Sequence, residues 1–217
     1  MNRPGKTAFS MPTGEMGKKT MEEMNIHHRD LTVWALSLIK DGNYNKIMDV
    51  GCGGGLAINL MGHIWPSASL TGVDISPDAL EYCASTVDSD VIKRLELCLS
   101  SVTELPFPDG TFDLVTSFES YFFWDDVQKG LEEICRCLRP NGTVMIVSEA
   151  YPHPAFNERN KENARIHGMK LLHPDEIVRI LEGNGADAKA ILWEEKNWMA
   201  VIGSKLSCQD TKENIKL

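Results

Sequence analysis

A glycine cluster is the densest group of residues in this sequence that could serve chemistry. The stretch MDVGCGGGLAI, residues 48–58, holds four glycines within positions 51–55. An apolar strand leads into them and a helix leads out, so a ligand can lie against bare backbone and meet the helix N–H groups. Dinucleotides and S-adenosylmethionine are the two cofactor classes bound by such loops. The dinucleotide pattern G-x-G-x-x-G/A fits poorly, because Leu56 takes its third glycine position and Asp49 precedes the loop.

A second candidate is Asp74, which ends the next predicted strand 21 residues after Gly53. A carboxylate at this position can accept hydrogen bonds from both hydroxyls of a ribose, each worth about 1.5 to 3 kcal/mol because the acceptor is charged. Both cofactor classes carry a ribose, so Asp74 does not separate them. The alternative role, capping the following helix, is already filled by Ser76.

Glu119 and Tyr121 are the catalytic candidates, because they follow the fourth predicted strand within the aromatic stretch FESYFFW. Glu119 could bind a cationic substrate, act as a general base or accept a hydrogen bond from the amine of the cofactor. The structural alternative is an ion pair with Arg29 or another N-terminal group. For Tyr121 the alternative is a place in the pocket wall or the core.

Three histidines, His27, His28 and His153, are further candidate bases, with structural or solvent-facing roles as the alternative. Neither a C-x-x-C nor an H-x₃-H pair occurs, so the spacing predicts no metal site. The pair Asp125-Asp126 could suggest magnesium for a diol substrate, but we expect it to cap the following helix.

An α/β fold must position these residues. Apolar strands alternate with helical segments, which predicts βαβ units and a parallel sheet whose loops meet along one edge. We expect five strands at 46–50, 69–75, 94–100, 111–118 and 142–150, and a closing hairpin of 187–195 with 197–205. We expect helices at 18–42, 55–65, 76–87, 126–140 and 173–186, the fourth stopped by Pro140, and irregular backbone over 1–17.

Several ordered motifs resemble those of the class I S-adenosylmethionine-dependent methyltransferases, of the small-molecule, methyltransferase-domain-11-like kind. The spacing D-x-G-x-G-x-G starts at Asp49, an LPF turn precedes the FDLV strand, and RPNG precedes the fifth strand. The resemblance covers about Asn45 to Glu149. It implies a Rossmann-like, mostly parallel sheet of seven strands over roughly Leu31 to Lys205, in the order 3-2-1-4-5-7-6, with strand 7 antiparallel and helices on both faces.

The same resemblance implies a cofactor site. The backbone at Gly51 and Gly53 would meet the methionine half of S-adenosylmethionine, Asp74 would hold the ribose, and Ile75 would pack on the adenine. Asp49 and Phe118 complete the residues expected to bind the cofactor.

One expected contact departs from the family pattern. Many relatives carry GDA before the LPF segment, and its aspartate accepts a hydrogen bond from the amino group of adenine. Here Ser100, Ser101 and Val102 occupy those positions. We expect the uncharged hydroxyl of Ser101 and the N–H of Val102 to make the adenine contacts instead.

The composition is that of a globular protein with an acidic balance. The 217 residues carry a formal net charge of −9, which disfavours a nucleic-acid partner. No apolar run approaches the ~18 to 20 residues of a membrane helix, so no membrane partner is expected. Six cysteines without a C-x-x-C pair indicate reduced thiols and a cytoplasmic location.

These features together predict methyl transfer from S-adenosylmethionine to a small-molecule acceptor by in-line displacement. The alternatives are a nicotinamide-dependent oxidoreductase and a non-catalytic protein that binds S-adenosylmethionine. We expect residues 1–30 to form an N-terminal segment that could cover the cofactor, 31–205 the methyltransferase domain, and 206–217 a polar tail. The sequence makes no prediction of the oligomeric state.

Overall fold

In the computed structural model, which describes residues 13–207, the centre of the molecule is one seven-stranded sheet. Its strands are β1 (Lys46–Val50), β2 (Ser69–Asp74), β3 (Leu95–Leu99), β4 (Phe112–Phe118), β5 (Leu138–Ser148), β6 (Ala186–Trp193) and β7 (Trp198–Lys205). Their order is β3-β2-β1-β4-β5-β7-β6, which confirms the predicted fold.

Strand direction determines where the loops gather. Strands β1 to β5 pair in parallel, whereas β7 runs antiparallel to both β5 and β6. Parallel strands present their carboxyl ends along one edge of the sheet. The segments that follow β1 to β5 therefore meet at this edge.

Helices pack on both faces of the sheet. Side chains alternate along β1, so that Ile47 joins one apolar layer while Met48 and Val50 join the other. The helices are α1 (Gly14–His27), α2 (Arg29–Ser37), α3 (Leu56–Ile64), α4 (Pro77–Thr86), α5 (Ser89–Ile92), α6 (Val127–Cys137), α7 (Asn157–His167) and α8 (Pro174–Gly183). Within residues 13–207, none of the helices is long and apolar enough to cross a bilayer.

The N-terminal helix prediction was wrong in three respects, one of which is that α2 ends at Ser37 and not at Gly42. The predicted helix over 18–42 is two helices, because the chain leaves helical geometry at His28, with φ −86° and ψ 1°. Helix α1 also begins at Gly14, so the expected irregular backbone is wrong for 14–17. Residues 1–12, like 208–217 of the predicted tail, lie outside the described residues.

The end of α6 was also predicted wrongly. The helix ends at Cys137, before Pro140, and the next strand already begins at Leu138. The buried side chain of Leu138 pairs with Phe112 across the sheet, which draws the chain out of the helix early. Pro140 lies where the register between β4 and β5 shifts, a position that tolerates a missing N–H.

Two helices were missed. Helix α5 has only four residues, and α7 has the sequence NERNKENARIH, with Asn160 as its one buried residue. A helix without an apolar stripe leaves no hydrophobic period in the sequence.

Candidate active site

The glycine loop between β1 and α3 is held in a left-handed conformation. Gly51, Gly53 and Gly55 have φ angles of +74°, +49° and +78°. The N–H groups of Gly51 and Cys52 donate to the Val73 carbonyl, at 2.7 and 3.1 Å. These hydrogen bonds fix the loop to the end of β2, next to Asp74.

Two of these glycines have different surroundings. A Cβ atom on Gly51 would collide with the side chain of Ser120, so this glycine allows close packing within the protein. A Cβ atom on Gly53 would have no closer neighbour than the Gly51 carbonyl oxygen at 4.0 Å. The open space beside Gly53 is where a bound group could approach the backbone.

A cleft at the carboxyl edge of the sheet contains the whole predicted cofactor set. Its lining includes Glu119 and all eight predicted positions: Asp49, Gly51, Gly53, Asp74, Ile75, Ser101, Val102 and Phe118. Helix α1 closes one side, where Asn25 Nδ2 donates to the Gly54 carbonyl at 3.1 Å. This Asn25 contact depends on the tertiary packing of α1 and was not predicted.

Asp74 links the loop to the following helix. Its Oδ2 accepts from the Gly53 N–H at 3.0 Å and its Oδ1 from the Ser76 N–H at 2.9 Å. Ser76 caps α4, as predicted, and its side chain accepts from the Ala79 N–H. Each carboxylate oxygen can accept more than one hydrogen bond, so Asp74 can hold the loop and a ligand hydroxyl at the same time.

Asp49 lies beneath the loop. It is only 1% exposed, and its Oδ1 accepts from the Thr116 hydroxyl at 2.7 Å. Burial raises the pKa of Asp49 to about 7, although the hydrogen bond from Thr116 opposes the shift, and the charge of Asp74 adds to it. A cationic group in the cleft would favour the charged form of this carboxyl.

Ser101 and Val102 begin a 3-10 turn after β3. The Ser101 hydroxyl caps this turn, accepting from the Thr103 N–H at 3.3 Å, and it lies 2.9 Å from the Thr103 hydroxyl. Val102 is 6% exposed and packs in the core behind the cleft. Both residues line the cleft at the predicted place.

Glu119 occupies a strained position just past β4. Its φ is +50°, and its N–H donates to the Val147 carbonyl at 3.0 Å. Its side chain is 8% exposed, its Oε1 accepts from the Glu149 N–H, and its Oε2 lies 3.8 Å from His28 Nε2. Burial raises the pKa of Glu119 to about 7; His28 opposes this shift and Glu149 reinforces it. The N-terminal partner of Glu119 is thus His28 and not Arg29.

A second cavity of about 690 Å³ adjoins the cleft. The two share four lining residues: Met24, His28, Glu119 and Phe123. Other walls come from α7 and its flanks, including Arg159, His167 and Met169. A molecule in this cavity would face a molecule in the cleft across Glu119.

The histidine candidates divide between two places. His28 lines both cavities, and its Nε2 lies 3.7 Å from Glu149 Oε1, while His27 Nε2 lies 3.1 Å from Glu149 Oε2. Burial alone would lower the pKa of His28, but Glu149 and Glu119 outweigh it, so the pKa is raised. His153 instead caps a 3-10 turn, accepting from the Ala155 N–H.

Glu149 was missed by the sequence reasoning. It directly follows β5, at the same edge of the sheet as Asp74 and Glu119. Position alone could have identified it, because acidic residues just past parallel strands gather at the site.

Tyr121 lines neither the cleft nor the 690 Å³ cavity. It is fully buried in the core, and its hydroxyl oxygen accepts from the Leu172 N–H at 3.4 Å. Burial raises its pKa well above the ordinary value. Tyr121 is therefore a core residue, and the prediction that it is catalytic was wrong. Asp126 caps α6, as predicted, by accepting from the Lys129 N–H at 2.9 Å.

Comparisons with known proteins agree on one family. A family model for a methyltransferase domain matches residues 48–146. An uncharacterized methyltransferase of Bacillus subtilis is 28% identical over 142 residues, which are 65% of this chain and 77% of that protein. A demethylmenaquinone methyltransferase of Symbiobacterium thermophilum is 35% identical over 114 residues, which are 52% of this chain and 45% of that protein.

The fold comparison agrees. Geranyl diphosphate C-methyltransferase of Streptomyces coelicolor, solved with Mg²⁺, geranyl diphosphate and S-adenosyl-L-homocysteine, matches with a TM-score of 0.73 at 11% identity. The match covers 92% of this chain and 87% of that one. This chain spans less than half the length of several of its curated relatives.

Proposed function

Because this chain belongs to the class I S-adenosylmethionine-dependent methyltransferases, we propose that it methylates a small-molecule acceptor held in the 690 Å³ cavity. The observation that carries the proposal is the meeting of two cavities at Glu119, one of them lined by the glycine loop and Asp74. A demethylmenaquinone methyltransferase among the relatives supports an acceptor of small-molecule size.

In this proposal the cleft residues hold the cofactor. The Gly53 backbone leaves room for its methionine half, Asp49 faces the cationic amine, and Asp74 accepts from the ribose hydroxyls. The adenine lies near Ile75, with the remaining predicted residues around it: Gly51, Ser101, Val102 and Phe118. When bound, S-adenosylmethionine supplies a methyl group already activated on a sulfonium.

The protein then positions the two reactants and excludes water from the space between them. Met24 and Phe123 provide apolar surface on the wall shared by the two cavities, and α1 covers the glycine loop through Asn25. Well-oriented reactants gain about 7 to 11 kcal/mol from positioning alone. An N-terminal segment that covers the cofactor is therefore part of the proposal.

Glu119 is the residue we assign to the acceptor. Its carboxylate lies on the wall shared by the two cavities, and a strained backbone is retained where the surrounding structure holds it in place. Hydrogen bonding to the acceptor would orient its nucleophile toward the cleft.

Glu119→Gln tests this assignment. We expect the variant to keep its affinity for S-adenosylmethionine and to lose at least about tenfold in turnover, because an amide accepts more weakly than a carboxylate. The assay is mass-spectrometric detection of new methylated products from a metabolite extract. Glu182→Gln, at an exposed position in α8, is the matched control and should behave as the parent.

Other outcomes would change the proposal. A folded Glu119→Gln variant with unchanged affinity and turnover removes Glu119 from the mechanism. Lost affinity at unchanged maximal turnover moves Glu119 to the cofactor amine. Binding of S-adenosylmethionine without any product favours a non-catalytic binding protein.

A cytoplasmic location belongs to the same proposal. The cysteines within the described residues are free thiols: Cys52, Cys83, Cys98, Cys135 and Cys137. Free thiols are typical of a reducing compartment.

A further inference from the structure

Three side chains that line the 690 Å³ cavity form a cluster that the reaction proposed above does not use. The His–His–Glu cluster consists of His27, His28 and Glu149. Their two ring nitrogens and carboxylate oxygen all lie within 4.8 Å of one another. His27 Nε2 is 3.1 Å from Glu149 Oε2, and His28 Nε2 is 3.7 Å from Glu149 Oε1.

The break between α1 and α2 creates this convergence. Adjacent residues within one helix point about 100° apart, so neighbouring histidines would normally diverge. Here α1 ends at His27, and His28 adopts φ −86° and ψ 1° before α2 begins. The two rings lie edge to face, with centroids 5.1 Å apart, and their Nε2 atoms approach the same carboxylate.

Glu149 is held in place from two sides. Its N–H donates to Glu119 Oε1, and its carbonyl accepts from Arg159 at 3.3 Å. Glu119 Oε2 also lies 3.8 Å from His28 Nε2, which puts a second carboxylate beside the cluster.

The set of donor atoms indicates the type of ligand. Two imidazole nitrogens with one carboxylate oxygen suit divalent transition metals, whereas magnesium and calcium prefer sites made of oxygen alone. Ligand atoms around tetrahedral zinc are separated by about 3.4 Å. The three donor atoms of the cluster lie within 4.8 Å of one another, and the two histidine nitrogens lie 3.1 and 3.7 Å from different oxygens of Glu149. Small side-chain movements would complete the geometry.

We propose that the His–His–Glu cluster binds one divalent transition-metal ion of the zinc type, with an open coordination position toward the 690 Å³ cavity. All three residues line that cavity. Three protein ligands and one open position are the pattern of catalytic rather than structural zinc.

The consequence for chemistry rests on the proposed function. An acceptor hydroxyl or thiol bound at the open position would lose its proton to solvent, because a divalent ion lowers the pKa of its ligands. The electron pair left on oxygen or sulfur forms the bond to the methyl carbon. The carbon–sulfur bond of the cofactor breaks, and its electron pair stays on sulfur as S-adenosylhomocysteine. This assigns the acceptor to hydroxyl or thiol compounds.

Metal binding to the full chain, tag-free and treated with chelator, tests the site. We expect titration calorimetry with Zn²⁺ and elemental analysis after dialysis to show one equivalent per chain, and Mg²⁺ not to bind the cluster. His27→Ala is the first variant, because the His27 side chain is 67% exposed and its loss should leave the fold intact. Zn²⁺ affinity should fall at least about tenfold in this variant and in Glu149→Gln.

His63→Ala is the control, since this exposed histidine pairs with Asp88 away from the cluster. It should leave the single strong site unchanged. No Zn²⁺ binding by the parent chain, or equal binding by parent, His27→Ala and Glu149→Gln, would overturn the inference and leave the cluster as an ion-pair network. S-adenosylmethionine affinity measured on the same samples separates this failure from failure of the proposed function.

Discussion

Gly51 and Gly53 differ at the residue scale although they belong to one motif. Both have positive φ, but Gly51 faces the Ser120 side chain whereas Gly53 faces open space. A G-x-G motif indicates that side chains are absent at two positions. It does not predict whether a protein side chain or a ligand lies beside each glycine. The surroundings in the folded chain decide which glycine the ligand requires.

Gly53→Ala should therefore affect ligand binding more than stability. A left-handed alanine costs about 1 to 2 kcal/mol, and its methyl group would enter the cleft. We expect at least tenfold weaker S-adenosylmethionine binding by calorimetry in a protein that still unfolds cooperatively. Gly51→Ala should lower the unfolding temperature further, because its Cβ collides with Ser120. Undiminished affinity in folded Gly53→Ala would mean that no ligand approaches this glycine.

Asp49 predicts a pH dependence of stability. Burial raises its pKa to about 7, whereas an aspartate in the unfolded chain titrates near ~3.9. Between these values the folded state binds a proton that the unfolded state has released, so stability falls as pH rises from about 4 to 7. One proton gives a slope of at most about 1.4 kcal/mol per pH unit.

Asp49→Asn should remove this contribution while keeping an acceptor for Thr116. Urea denaturation of parent and variant at pH 5 and pH 8 measures it. We expect the variant to gain stability relative to the parent on going from pH 5 to pH 8. An equal difference between the two proteins at both pH values would show that Asp49 does not titrate in this range.

The positions of the candidate site residues were predictable where each follows directly from the end of one strand. The positions after β1, β2 and β3 that were expected to bind the cofactor all line the cleft. Tyr121 failed because a 3-10 turn over Tyr121–Phe123 rotates its side chain into the core. Metal-ligand spacing concerns residues that are close in sequence. It could not pair His27 with Glu149, which lies 122 residues later and is brought near only by the fold.

At the scale of elements, α1 contributes a wall to both the cleft and the cavity. Asn25 ties it to the glycine loop, and the Gly14 N–H donates to Asp78 Oδ2 at 2.8 Å, next to the start of α4. The sequence predicted a helix here because its pattern is helical, but not the break at His28 or the contact with the loop. Helical propensity is local, whereas the path of α1 depends on packing against distant elements.

Asn25→Ala should loosen α1 from the loop. Loss of one hydrogen bond, worth about 1 kcal/mol, should weaken S-adenosylmethionine binding roughly fivefold and speed amide hydrogen exchange in α1. Asn43→Ala, at an exposed position before β1, is the matched control. Exchange rates in α1 and cofactor affinity that both match the parent would show that this contact does not hold the helix.

At the scale of the whole molecule, five parallel strands place the residues of the candidate site along one edge of the sheet. Asp74 ends β2, and the glycine loop, Ser101, Glu119 and Glu149 follow β1, β3, β4 and β5. Alternating strands and helices predict this arrangement, and the strand order confirms it. The long connection after β5 lines the 690 Å³ cavity, but its helix α7 was not predicted because it lacks an apolar stripe.

Binding of S-adenosylmethionine at this edge of the sheet can be measured by calorimetry. The full chain and its Asp74→Asn variant are each titrated with S-adenosylmethionine and with S-adenosylhomocysteine. We predict one equivalent of either ligand, and a loss of about 1 to 3 kcal/mol in Asp74→Asn, because the amide keeps only part of the acceptor capacity. A folded parent chain that binds neither ligand, and instead binds a nicotinamide dinucleotide, would show that this edge is not an S-adenosylmethionine site.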